Sequence, residues 1–152
     1  MPRRSITKLQ AAERQIRTAC DLYFLHGELL SVMTLAGAAE EICGNLLRRQ
    51  RKQNILGIMH AEAIARGIDL TAEALYTRAS KLRNALKHAT APSEDRFTFD
   101  DEAAVLMLVR AVINYQLCGC TLPQEAERFI VWVKQHGLLS IYATESSAKQ
   151  TA

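Results

Sequence analysis

Apolar residues return every three or four positions along almost the whole chain, the spacing of helices that bury one face. The pattern predicts six helices. The first begins after Ser5 or Thr7, carries Ile16, Cys20, Tyr23 and Phe24, and ends at Gly27, which suits a left-handed C-terminal position. The second opens at Ser31, whose hydroxyl can cap it, and extends to about Arg51 with an inward stripe of Val32, Leu35, Ala36, Ala39, Cys43 and Leu46. A third spans Asn54 to Arg66 and stops at Gly67. The fourth starts near Thr71 and carries Leu75, Ala79, Leu82, Leu86 and Ala89, the stripe of a bundle helix, with Arg78 inside it. The stretch from Ala89 to Asp95, which contains Pro92, breaks the period. The fifth helix begins at Asp100, Asp101 and Glu102, carboxylates that suit the positive end of a helix dipole. It continues apolar on nearly every side and is expected to be the central helix. The sixth starts with a capping-box pattern at Thr121–Gln124, turns Ala126, Phe129, Ile130 and Val133 inward, and ends at Gly137. Leu138, Leu139, Ile141 and Tyr142 are expected to tuck back onto the bundle. One domain then covers 1–142, and 143–152 reads as a frayed tail.

The expected fold class is therefore all-α, a bundle of about six helices. A length of 152 residues, with 49% hydrophobic residues, 7 Gly and 3 Pro, suits one self-sufficient core and excludes disordered, collagen-like and loop-rich β classes. The total charge of +3 hides an asymmetry. Residues 1–52 carry nine Lys/Arg against five Asp/Glu, 53–90 five against three, and 91–152 five against eight. A basic first ninety residues make an anionic partner conceivable. Asp95, Asp100 and Asp101, close in sequence to Lys87 and His88, are expected to neutralise part of that charge.

No apolar run follows Arg3 and Arg4, so no secretory signal is read, and no run reaches the ~20 apolar residues of a membrane span. The expected setting is cytoplasmic, without a membrane partner. There Cys20, Cys43, Cys118 and Cys120 stay thiols. Cys118-Gly-Cys120 lacks a second ligand pair and reads as small residues at a helix end, so no metal and no cofactor is expected.

Candidate chemistry gathers in Arg83-Asn84-Ala85-Leu86-Lys87-His88. On a continuous helix Arg83 and His88 edge one polar face about 140° apart, with Asn84 and Lys87 between them. One straight helix cannot aim both ends at one small target; two crossing copies can. The Arg-x4-His spacing within an all-α chain resembles the R-x(4–6)-H motif of HEPN (higher eukaryote and prokaryote nucleotide-binding) domains. The resemblance implies a homodimer that binds RNA or a nucleotide, with metal-independent endoribonuclease activity in many members and none in others. Arg83, Asn84 and His88 would then be catalytic: His88 takes the 2′-hydroxyl proton while Arg83 and Asn84 hold the scissile phosphate. A second likeness is to small uncharacterised bacterial proteins with S-V-H-T-L-A and N-F-F-K-H-A segments. Here they are Ser31-Val32-Met33-Thr34-Leu35-Ala36 and Asn84-Ala85-Leu86-Lys87-His88-Ala89.

Lys87 and the cluster Arg48, Arg49, Arg51 and Lys52 are the binding candidates, as phosphate contacts. The same cluster also complements a helix C-terminus and has no aromatic residue interleaved. Gly37 and Gly44 would admit a close helix, from this chain or from a second copy. Arg78, Arg110 and Asn114 would need buried partners, for which Glu40 and Glu41 are candidates. Two alternatives stand beside RNA binding. One is a non-catalytic homodimeric protein-interaction module using the basic or glycine face; the other is a small-molecule pocket around Arg110 and Asn114. His26, His60 and His136 carry no partner pattern.

Overall fold

A computed structural model describes residues 3–88, 92 and 95–137, and these form six α-helices and no strand. They are α1 (Lys8–Asp21), α2 (Leu29–Arg49), α3 (Ile55–Ala65), α4 (Ala72–Ala85), α5 (Asp101–Leu117) and α6 (Gln124–Gln135). The bundle centre is the long contact of α2 with α5, against which α1 packs, with α6 closing on α1. The hairpin of α3 and α4 touches this centre along a narrow strip.

The start of α1 is held by a reciprocal cap, in which Thr7 Oγ1 accepts from the Gln10 N–H at 3.1 Å and Gln10 Oε1 accepts from the Thr7 N–H at 2.9 Å. The helix does not continue unchanged to Gly27 as its pattern predicts. After Asp21 it widens into a π-helical turn, Leu22–His26, which ends at Gly27 with φ 61°. The wide turn brings the adjacent rings of Tyr23 and Phe24 onto both Phe129 and Trp132, with centroids between 5.2 and 6.3 Å and edge-on geometry.

Because the Gly27 turn delivers the chain straight into α2, the helix begins two residues before Ser31, with Glu28 at the cap position and no side-chain cap. Its buried band is broader than one stripe: Met33, Gly37, Glu40, Gly44 and Leu47 are covered together with Val32, Ala36, Ala39 and Cys43, while Leu35 and Leu46 are half-buried. So α2 shares the centre with α5, which buries nine residues of its own. α2 ends at Arg49, earlier than expected, in a Schellman turn. The Lys52 N–H donates to Leu47 O at 2.9 Å and the Arg51 N–H to Arg48 O at 3.0 Å, with Arg51 at φ 56°.

Asn54 caps α3 by accepting from the Gly57 N–H at 2.9 Å, and Thr71 caps α4 by accepting from the Ala74 N–H at 3.1 Å. α4 stops at Ala85, short of the predicted stripe; beyond it the Lys87 N–H donates to Asn84 O three residues back at 3.0 Å, a tightened last turn, and the His88 N–H shares the same acceptor at 3.0 Å. Leu75, Ala79, Leu82 and Leu86 are only half-buried, and Arg78, expected inside the stripe, is exposed. A helix paired chiefly with α3 covers one narrow face and leaves Arg78 outside it.

Asp100 caps α5, accepting from the Ala103 N–H at 2.8 Å, and Asp101 and Glu102 fill its first turn. α6 does not use the Thr121 capping pattern. It starts after Pro123, whose carbonyl accepts from Ala126 and Glu127 at 3.0 Å, with Glu125 and Glu127 complementing the dipole. Ala89, most of the break to Asp95, the apolar residues from Leu138 to Tyr142 and the tail lie outside the described residues. No described helix is long and apolar enough to cross a membrane.

Candidate nucleic-acid interface

The end of α4 divides its polar residues between two directions. Arg83 and Lys87 turn toward α2. A Cβ built on Gly37 would meet Arg83 Cγ at 3.0 Å, Arg83 Cδ at 3.2 Å and Met107 Sδ at 3.2 Å, so the glycine makes the seat of the arginine stem. The half-buried Arg83 then donates from Nη2 to Ser80 Oγ at 3.1 Å. Lys87 Nζ donates to Glu41 Oε2 at 3.0 Å across the same contact. That hydrogen bond and the ammonium charge hold the Glu41 carboxyl below its usual range, against partial burial and with further help from Arg83. The neutralising carboxylate for Lys87 is thus Glu41, rather than the sequence-near Asp100, which caps α5.

Asn84 and His88 face the other way, into an open cleft of about 1400 Å³ between α4 and residues 95–99. Arg78, Lys81 and Arg96 also line it, and Asp95 is the one acidic residue among the described lining residues. Tyr76, Phe97 and Phe99 stand in the same cleft, each more than one-third exposed. The Tyr76 hydroxyl donates to Asn54 Oδ1 at 2.8 Å, which anchors that ring to the start of α3. Cations and aromatic faces in one opening can hold phosphates and flat bases together.

The sequence pattern did not point to Phe97, Phe99, Tyr76 or Arg96. A usable signal was present: two of the chain's four phenylalanines sit two residues apart, in a chain with 6% aromatic residues.

Other expected site residues find structural partners. Glu40 pairs with Arg110: Nε donates to Oε1 at 2.8 Å and Nη2 to Oε2 at 3.4 Å, while Nη2 also reaches Ala79 O at 3.2 Å. Asn114 Oδ1 accepts from the Ile55 N–H at 2.8 Å and so adds a second acceptor at the start of α3. Both side chains that suggested a small-molecule pocket are thereby engaged within the bundle. Gly44 faces Asn54 and Asn114, so the glycine face of α2 is filled from this chain. Arg48, Arg49, Arg51 and Lys52 are exposed at the end of α2, apart from the residues that line the cleft.

All four cysteines are free, and Cys118 Sγ donates to Cys43 O at 3.6 Å. Burial pushes the thiols of Cys20 and Cys43 up to about 12, which makes them poor nucleophiles. Among the described residues no group of three or more His, Cys, Asp and Glu is arranged to hold a metal ion.

Fold and cleft together define an all-α bundle with an open, basic, aromatic-lined groove on its outermost helix. Comparison with family models, curated proteins and solved structures gives no match.

Proposed function

We propose that this chain binds RNA or a nucleotide in the cleft between α4 and residues 95–99. The observation that carries the reading is the lining: Arg78, Lys81 and Arg96 against Asp95 alone among the described residues, with three aromatic rings beside them. The Arg83-x4-His88 resemblance to HEPN domains supports the same ligand class. In this reading Asn84 and His88 face the ligand, and Arg83 and Lys87 hold the end of α4 against α2. A cytoplasmic setting goes with it, since RNA and reduced thiols meet there.

Metal-independent cleavage is the chemical extension of binding. The His88 imidazole takes the proton of a 2′-hydroxyl, O2′ attacks phosphorus, and the bond from phosphorus to O5′ breaks, leaving a cyclic phosphate. O5′ receives its proton from water or from His88 of a second copy. Charge on the phosphoryl oxygens is offset by the cleft cations, and general-base help is worth roughly 10²–10⁴-fold.

Fluorescence anisotropy with a labelled single-stranded RNA tests binding. Three phosphate contacts on a single strand predict that affinity falls about 20-fold between about 50 and about 200 mM salt. Arg78→Ala with Arg96→Ala should remove most of that salt dependence. Absence of binding at low salt overturns the reading. Cleavage is read separately on a mixed RNA pool in chelator: His88→Ala abolishes turnover, and equal activity of that variant ends the nuclease extension.

A second reading, a non-catalytic homodimeric interaction module, is favoured by α3. That helix is apolar on nearly every side, yet Leu56 is its one buried residue, and Ile58 and Ile64 with the following Ile68 are exposed. Sedimentation decides it: a 17.0 kDa species at micromolar concentration rejects the dimer, and Ile64→Glu should split a dimer that forms.

A further inference from the structure

Residues 96–99 run without helix between Asp95 and the Asp100 cap of α5. In an extended segment, side chains two residues apart share a side. Phe97 and Phe99 follow that rule: their centroids are 5.9 Å apart and their planes are inclined at 38°. Both rings line the cleft, and they are 38% and 40% exposed. About two-fifths of each phenylalanine is uncovered, and together the rings present one aromatic surface to the cleft on which a flat group can lie.

The charge around the rings selects the cover. Arg78, Lys81 and Arg96 share the opening, and Asp95 is the one described acid in its lining. An apolar protein surface would bury those cations without counter-charges, a costly exchange. A nucleic-acid strand supplies phosphates for the cations and bases for the rings at once. In a duplex the base faces are already stacked on one another, so only unpaired bases can lie on Phe97 and Phe99.

Resting on the reading of the cleft as an RNA or nucleotide site, we propose that Phe97 and Phe99 form a stacking platform for unpaired nucleobases, and that Asn84, on the α4 wall of the same cleft, meets a base edge. The platform makes the site selective for single strands. Asn84 brings a donor and an acceptor on one amide, which matches the mixed edge of any base. Arg96, adjacent in the chain to Phe97, meets the phosphate that accompanies the stacked base.

The test uses the full chain and three labelled strands of about twelve nucleotides, a length within the usual footprint of such sites. One is single-stranded 2′-O-methyl RNA, which cannot be cut through its 2′-oxygen. The second is its duplex, and the third an abasic strand with the same number of phosphates. The expected result is that the single strand binds at least tenfold tighter than the abasic strand and the duplex. Phe97→Ala with Phe99→Ala should lower single-strand affinity by about 5- to 100-fold, the range for losing base stacking, and leave abasic binding unchanged. Phe97→Trp should retain binding, with its fluorescence quenched by the bound base; this variant keeps the ring should the alanine pair fail to fold by circular dichroism. Equal affinity for abasic and base-bearing strands overturns the platform and leaves the cleft reading standing. Failure of all three strands to bind overturns both. A change from dimer to monomer on removing the rings, with strand affinity unaltered, shows that a second copy covers them and overturns the platform.

Discussion

The aliphatic stem of Arg83 lies across Gly37 of α2, close enough that a Cβ at position 37 would stand 3.0 Å from Arg83 Cγ. The arginine of the Arg-x4-His motif is therefore seated by a glycine two helices earlier in the chain. Two effects oppose each other in Gly37→Ala. Alanine gains about 1 kcal/mol of helix propensity, and its methyl group presses on Arg83 and on the flexible end of Met107. In wild type the substitution should be neutral or destabilising. In an Arg83→Ala background the seat is empty, Met107 can turn aside, and the same substitution should stabilise by about 1 kcal/mol. Urea unfolding of the four proteins measures the coupling, expected at about 0.5 kcal/mol or more. Additive effects would mean that Arg83 does not occupy this seat.

Glu40 and Arg110 hold the contact between α2 and α5 with side chains that are 6% and 11% exposed. Removing one charge strands the other. Glu40→Gln should destabilise by about 3 kcal/mol, in the range for breaking a buried pair, because the Arg110 guanidinium loses its counter-charge and keeps only neutral oxygens, Ala79 O and one side-chain amide oxygen, as acceptors. Glu40→Leu with Arg110→Met should recover most of the loss, since apolar replacements of similar volume remove the stranded charge. Denaturant midpoints at constant slope provide the comparison. Equal stability of Glu40→Gln and wild type would show that the pair carries no net energy.

The helices were legible where a local signal coincided with a tertiary need. Asp100 before a continuous apolar run marks the start of α5, and it is both the cap and the entry to the core. The spacing of Gly37 and Gly44 marked a close approach, which Arg83, Asn54 and Asn114 make. The end of α4 was not legible: Leu86 and Ala89 extend the apolar period, yet too little of α4 is packed to hold that last turn. The π turn at Leu22–His26 depends on Phe129 and Trp132, more than one hundred residues away. The cleft is illegible in the sequence for a related reason. Its far wall is a short segment outside any helix or strand, too brief for a period to register, so the two-residue spacing of the phenylalanines is the one signal it offers.

Arg51 sits at φ 56° in the Schellman turn that ends α2, a conformation glycine adopts without strain. A left-handed residue with a Cβ costs roughly 1–2 kcal/mol, and glycine gives back about half through its freer unfolded chain. Arg51→Gly should therefore stabilise the protein by about 0.5–1 kcal/mol, read as a higher thermal midpoint. If Arg51 also contacts phosphates, the same variant weakens RNA binding while raising stability. Destabilisation by Arg51→Gly would mean that the arginine side chain makes a contact worth more than the strain.

Lys87 and Glu41 join the end of α4 to α2 on the outside of the bundle, with side chains 43% and 46% exposed. The Glu41 carboxyl is held below its ordinary value of 4.5, first by the Lys87 hydrogen bond. A depressed carboxyl contributes stability that is fully present above the ordinary value and is lost as pH falls through the folded value. At this exposure solvent screens the pair, so its worth is about 0.2–1 kcal/mol. Wild type should exceed Lys87→Met by that amount near pH 7, and the pH-dependent part of the gap should close as pH falls below the ordinary carboxylate value and through the lowered one. Glu41→Gln should flatten the same profile, leaving only the pH-independent effect of a cation near a helix C-terminus. High salt should shrink the gap at neutral pH. A gap between wild type and Lys87→Met that stays constant across this range would show that Lys87 acts through something other than Glu41.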